Sequence, residues 1–250
     1  MSLNKDRGSG TPSAVNSCKL CHKKDPLRKS HIIPEWSYGS LYDEIHRYHV
    51  LEAAPSRTQR LHQKGIYERL LCQRCETELS KYENYARAVF SGGPVNVKVA
   101  QHPIGLQLLG LDYSKFKLFE LSVLWRAGAA RHEFFSEVDL GSHQEVLRKM
   151  LVNRDPGKYR EYGCILIPLV IDGAHLLDFI VQPVAAARGD SMRYRFVFGG
   201  YVWFYILGET DSEVAKLFVQ RSGRMLIPRA DSKVASYFQQ LALKFGRNDG

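Results

Sequence analysis

The sequence has no apolar run of the ~18–20 residues that a bilayer span requires. Its first residues, Met1 to Asn16, hold Lys5 and Arg7 but no apolar stretch after them, so no secretory leader is expected. Their Gly, Ser and Asn content predicts a disordered tail over 1–16. A cytoplasmic location follows as the expectation, with no membrane contact. Cysteine is scarce, five residues in 250, yet four of them stand in pairs. In a reducing compartment, paired cysteines read as metal ligands sooner than as disulfides. Acidic residues are also in deficit: 35 Lys and Arg face 26 Asp and Glu, a net charge of +9. That balance permits contact with nucleic acid or another anionic surface. The excess is spread along the chain. Residues 17–98 carry 14 cations against 9 anions, and residues 99–250 carry 19 against 16. No internal repeat is visible.

What is present is ordinary globular composition, 44% hydrophobic and 24% charged, enough for one large domain or two small ones. Residues 17–35 read as a metal knuckle leading into a β-hairpin. Within 36–52, Leu41, Ile45 and Tyr48 stand at helical spacing, and 53–66 are loop-like. Leu79, Tyr82, Ala86 and Val89 predict a helix from the second cysteine pair to about Phe90. Ser91-Gly92-Gly93-Pro94 ends it and marks the best domain boundary. Further on, helices are expected over Phe116–Ala130 and Ser142–Val152, the latter with Ser142 as cap and Glu145 three residues later. Strands are expected at Cys164–Ile171, Leu176–Val181, Arg193–Phe198 and Tyr201–Leu207, with Gly199-Gly200 as a hairpin turn. An amphipathic helix is expected over Lys233–Phe245. The fold class is therefore α+β: a module over 17–98, then a domain of helices and antiparallel sheet over 99–250.

The cysteines carry the sharpest chemistry. Cys18-Lys-Leu-Cys21 and Cys72-Gln-Arg-Cys75 are two Cys-x-x-Cys knuckles. Each presents two thiolates from one tight turn, and two knuckles complete a closed tetrahedral site for structural zinc. Such an ion on four thiolates adds −2, leaving the module at about +3. Cys164 sits alone in an apolar strand and reads as a packing residue. Cys18-Lys-Leu-Cys21-His22 also fits a haem-attachment pattern, but that chemistry needs export and leaves the second knuckle unexplained.

Between the knuckles lies Ser30-His31-Ile32-Ile33-Pro34. This order of Cys-x-x-Cys, then Ser-His-Ile-Ile-Pro, then Leu-Leu-Cys-x-x-Cys followed at once by Glu76, resembles the HNH (ββα-metal) endonucleases that carry a zinc site. The resemblance covers about residues 17–90. Beyond it, the chain is similar to uncharacterised bacterial proteins that share this N-terminal pattern. The resemblance implies a zinc-stabilised ββα-metal-like module in which zinc pins a hairpin to a helix. It implies His31 as general base, and a separate Mg²⁺ or Mn²⁺ between hairpin and helix, near Ser30 and Glu76. The sequence departs from the pattern at Ser30, where the family has Asp; at Tyr67, where it has Asn; and at Glu76, where it has His or Asn. A carboxylate suits Mg²⁺ or Mn²⁺, and Glu83, on the same helical face as Glu76, is a weaker candidate. The implied activity is hydrolysis of phosphodiester bonds in DNA or RNA. The alternative is an inactive zinc module that binds nucleic acid or a protein.

Arg28 and Lys29 flank His31, and Arg69 and Arg74 flank the second knuckle. These four are candidate phosphate contacts. His46, His49 and His62 are candidate cleft residues, and surface positions explain them equally well. Arg193 and Arg195 share one strand face. Tyr194, Phe196 and Phe198 share the other, facing Tyr201, Trp203 and Tyr205 of the next strand. Such a set can stack single-stranded bases, but an ordinary core is the preferred reading.

Overall fold

The computed structural model describes residues 17–39, 48–49, 61–62, 65–171, 174–177, 180–188 and 191–229. In chain order its elements are β1 (Leu27–His31), β2 (Tyr67–Cys72), α1 (Gln73–Ser91), β3 (Lys98–His102), β4 (Gly105–Leu109) and α2 (Tyr113–Ala129). Then follow α3 (His143–Asn153), β5 (Cys164–Pro168), β6 (Val181–Arg188), β7 (Ser191–Phe198), β8 (Tyr201–Ile206) and β9 (Arg224–Pro228). Short antiparallel pairs also join Tyr48–His49 to Leu61–His62 and Val170–Ile171 to Ala174–His175. Helices and antiparallel sheets coexist, so the chain is α+β. No helix among the described residues is long and apolar enough to cross a membrane.

The centre of the molecule is α2. From Phe116 to Ala127 every residue is buried. A helix that is apolar almost all round must be covered on every side. Asp112 starts it by accepting the Lys115 N–H at 3.0 Å. On one side lies α1, whose buried residues Leu79, Tyr82 and Ala86 follow the predicted spacing. On another lies α3. A four-stranded antiparallel sheet, in the order β6-β7-β8-β5, covers a third side.

That sheet offers α2 an aromatic face. Tyr194, Phe196, Phe198, Trp203 and Tyr205 are all buried. Phe198 and Trp203 stack with ring centres 4.6 Å apart, and Phe119 of α2 meets Trp203 edge-on at 5.8 Å. The aromatics therefore form core, as preferred from the sequence, and not a stacking platform. Gly199 and Gly200 turn β7 into β8 with φ of 59° and 80°, the left-handed pair that a two-residue hairpin requires. The hydrophobic core runs without interruption from Cys18 and Ile32 through Leu79 and Phe116 to Trp203 and Ile227. Residues beyond 99 thus pack directly on the cysteine-bearing part.

Several expectations are revised. The partner of β1 is not the next stretch of chain but β2, with Leu27 opposite Cys72 and His31 opposite Tyr67. The expected helix over 36–52 gives way, where described, to one 3₁₀ turn at Glu35–Tyr38 and a strand at Tyr48–His49. Ser142 precedes α3 but makes no side-chain cap bond. Glu145 is instead committed to Arg148, at 2.7 and 2.8 Å. The strand expected at Leu176–Val181 begins at Val181 and runs to Arg188. A three-stranded sheet, β9-β4-β3, was not anticipated at all. The expectations for 1–16, His46 and Lys233–Phe245 lie outside the described residues. His49 lies opposite Leu61 and His62 opposite Tyr48 in a short antiparallel pair, and nothing is described of their side chains.

Candidate metal centre and the adjoining hairpin–helix site

The first knuckle is a tight reverse turn. The Cys18 N–H donates to the Lys23 carbonyl at 2.9 Å, and the His22 N–H donates to the Cys18 carbonyl at 2.8 Å. His22 closes the turn with φ of 61°. Ser17 and Lys24 bridge behind it. The Lys19 N–H then donates to the Leu70 carbonyl at 2.9 Å, tying the knuckle to β2. The second pair straddles a strand–helix junction. Cys72 ends β2 in extended conformation and stands at the N-terminus of α1, without a side-chain cap bond. Its sulfur faces the first knuckle instead. Cys75 lies one turn into the helix, where the positive end of the helix dipole favours a thiolate.

These two turns bring four sulfurs together. One ligand atom from each of Cys18, Cys21, Cys72 and Cys75 lies within 4.8 Å of the others. The Cys21 and Cys72 sulfurs are 3.8 Å apart. The edge of a sulfur tetrahedron around an ion at ~2.3 Å is ~3.8 Å, so the group fits a tetrahedral metal. All four cysteines are free, and three are buried. Burial pushes the Cys18 and Cys75 thiols upward. Cys21 is also pushed up by burial, but bonds from the Lys23 backbone and the neighbouring sulfurs bring it down to about 7. Arg74 hydrogen-bonds the Cys21 sulfur, which raises the guanidinium above its ordinary value. Arg74, expected to hold phosphate, is therefore placed beside the sulfur cluster. The four cysteines can hold a metal ion. Among the described residues no other group of three or more His, Cys, Asp and Glu side chains converges in this way.

The hairpin and helix that the cysteines join carry the other predicted residues. Ser30 is fully buried on β1, and its hydroxyl donates to Glu76 Oε2 at 2.6 Å. Glu76 is thereby turned inward and not toward bulk solvent. Burial raises its carboxyl, while the Ser30 bond and the Arg126 and His31 charges pull it back and Glu83 adds to the rise. His31 ends β1, half-buried. Its Nδ1 lies 3.8 Å from Glu35 Oε2, and its ring meets Tyr67 at 6.0 Å and Tyr38 at 6.5 Å. Arg28, Lys29 and Arg69 are exposed on the hairpin. A register shift between Arg28 and Lys29 lets two successive cations face solvent. Lys29 lies over the Tyr67 ring at 4.7 Å, and Arg69 donates to the Leu27 carbonyl at 2.9 Å.

Three groups from the second part of the chain reach the hairpin, α1 and the first knuckle, and sequence reading did not find them. Arg126 of α2 is 1% exposed and ion-pairs Glu83 at 3.3 Å. The same guanidinium donates to the His31 carbonyl at 2.5 Å and, through Nε, to the Ser122 carbonyl. The backbone N–H groups of Arg131 and His132 both donate to Glu68 of β2, at 2.7 and 2.6 Å. Arg148 of α3 donates to the Leu20 carbonyl, inside the first knuckle, at 2.6 Å. The available signal was a lone arginine in the apolar run of α2, where burial without a partner is prohibitive. No family model, curated protein or solved structure matches this chain. The class defined on these grounds is an α+β protein with a four-cysteine metal-type centre.

Proposed function

We propose that this chain is a metal-dependent endonuclease of the HNH type that hydrolyses phosphodiester bonds in DNA or RNA. Zinc is the structural ion, because four clustered thiolates in a closed site suit it best. One observation carries the reading: the cysteine cluster joins a β-hairpin to a helix, and across that junction Ser30, the neighbour of His31 on β1, bonds Glu76 of α1. His31 is the general base and takes the proton from the attacking water. The water oxygen bonds to phosphorus as the bond to the leaving oxygen breaks. Glu76 is the residue to hold Mg²⁺ or Mn²⁺, with Ser30 orienting its carboxylate. A divalent ion there supplies charge stabilisation at the phosphate. Arg28, Lys29 and Arg69 hold the nucleic-acid backbone as positioning contacts.

The second reading is a non-catalytic zinc module that binds nucleic acid or protein. The Ser30–Glu76 bond favours it, because that bond already occupies one carboxylate oxygen. The deciding experiment offers the zinc-loaded protein supercoiled plasmid, linear DNA and RNA with Mg²⁺ or Mn²⁺. His31→Ala is expected to lower cleavage on the order of 10²-fold or more. Equal behaviour of variant and wild type on every substrate removes the catalytic role. Salt-sensitive binding without cleavage leaves the module.

A further inference from the structure

A cavity of about 390 Å³ opens between the 3₁₀ turn after β1 and the outer side of α1, lined by Glu35, Trp36, Glu83, Asn84 and Arg87 among others. Two of these residues connect it to His31. Glu35 Oε2 lies 3.8 Å from His31 Nδ1. Glu83 shares the Arg126 guanidinium with the His31 carbonyl. The cavity is therefore linked to the proposed base through Glu35 and Glu83. Its aromatic wall is Trp36, half-buried and stacked on Phe90 with ring centres 5.8 Å apart and planes 25° from parallel. The turn at Gly199 supports the far end of the indole so closely that an added methyl there would stand 2.9 Å from Cζ3. An indole fixed from behind and at its end is a rigid platform. Its Nε1 is buried without a hydrogen-bond partner. The other two tryptophans, Trp125 and Trp203, are 1% and 0% exposed, so Trp36 alone can meet a ligand.

We propose that this cavity is a nucleobase subsite, in which one unstacked base of a single-stranded or locally opened substrate lies against Trp36. The proposal rests on the nuclease reading for its biological sense, though not for its chemistry. Every base has a π-face, so an aromatic wall accepts one whatever the sequence. A cavity of this volume lies within the ordinary range for small ligands. The Glu35 and Asn84 side chains offer acceptors for base amino groups. Arg87, exposed on the next turn of α1, offers a cation for the adjoining phosphate. Nothing of this arrangement can receive a base that remains stacked in duplex.

The test is a fluorescence titration of the full-length, zinc-loaded protein with oligo(dC) of ten nucleotides, in EDTA-free buffer without Mg²⁺ or Mn²⁺. Saturable quenching of tryptophan emission is expected, and a duplex of the same length should quench far less. Trp36→Leu, which keeps an apolar group against Phe90, should abolish the quenching and weaken binding of a dye-labelled oligonucleotide about tenfold. Arg87→Gln, a change on an exposed helix surface, should weaken it several-fold while leaving the quenching intact at saturation. Binding without quenching, or equal affinity of wild type and Trp36→Leu, overturns the subsite. The two readings separate cleanly. Quenching by oligo(dC), with no cleavage of plasmid, linear DNA or RNA after Mn²⁺ is added, ends the nuclease reading and keeps the subsite. Cleavage with Trp36 silent does the reverse.

Discussion

Three ionised-type side chains stand inside the apolar run of α2, and each has a different fate. Arg126 finds Glu83 and two carbonyls. Lys117 is fully buried, donates to the Tyr162 carbonyl at 2.5 Å and lies 4.0 Å from Glu120. Glu120 is also fully buried, and neither of its oxygens has a hydrogen-bond partner. Burial raises the Glu120 carboxyl to about 8 from its ordinary 4.5, with Lys117 opposing the rise. The folded chain therefore keeps a proton that the unfolded chain releases between those two values. The stability this contributes is complete below pH 4.5 and is lost as pH rises through 8. Burial lowers Lys117, which slopes the other way up to its ordinary 10.5. Glu120→Gln removes the first slope and keeps the lysine. From pH 5 to 8.5 wild type should lose stability relative to Glu120→Gln on the order of a few kcal/mol, measured by urea denaturation at each pH. A constant difference between the two curves would show that Glu120 does not titrate in this range.

Among the elements, the strand–turn–helix unit around β2 and α1 depends most on the cysteines. The β1–β2 hairpin is only five to six residues long, and a two-stranded ribbon is marginal alone. The cysteine cluster fastens the knuckle to the β2–α1 junction, and Ser30–Glu76 fastens β1 to α1. One zinc per chain is expected by elemental analysis. Chelation should destabilise the protein on the order of several kcal/mol and expose the first turn of α1 to hydrogen exchange. Cys72→Ser should lose most of the metal. Cys164→Ala should retain all of it, because Cys164 is a fully buried strand residue far from the cluster in role. Full metal content in Cys72→Ser would show that these four sulfurs are not the site. At this scale the sequence was legible wherever a local rule operates. The spacing of Leu79, Tyr82 and Ala86 gave α1, and Gly199-Gly200 gave the β7–β8 turn. It failed at β3 and β4, where Val99, Leu106 and, in the turn between the strands, Ile104 stay exposed, so no buried apolar face stands out.

For the whole molecule, the second part acts as a cradle for the first. Arg126, the backbone at Arg131 and His132, Arg148 and Arg154 each bond to a group between Leu20 and Glu83. Arg126→Met leaves Glu83 without its buried cation, and Glu83→Gln leaves Arg126 without its anion. Each single change should cost more than the double change, with a coupling of about 1–3 kcal/mol in a double-mutant cycle by urea denaturation. A coupling near zero would mean that the pair is not a working contact. The fragment 17–98 should remain unfolded even with zinc, since Ile32, Leu79 and Ala86 lose the α2 face that buries them. A well-dispersed NMR spectrum of that fragment would contradict this.

The sequence by itself determined the ligand set, because two Cys-x-x-Cys turns are local structures that present their sulfurs whatever surrounds them. It also determined the helix faces and the glycine turn, through spacing and φ preference. Only the tertiary structure decided what Ser30 and Glu76 do, since their bond joins residues 46 apart in sequence. Only it brought Arg126 to the carbonyl of His31, 95 residues away. No local rule carries such distances. Such pairs form only where the packing of the hairpin, α1 and α2 brings their partners within reach.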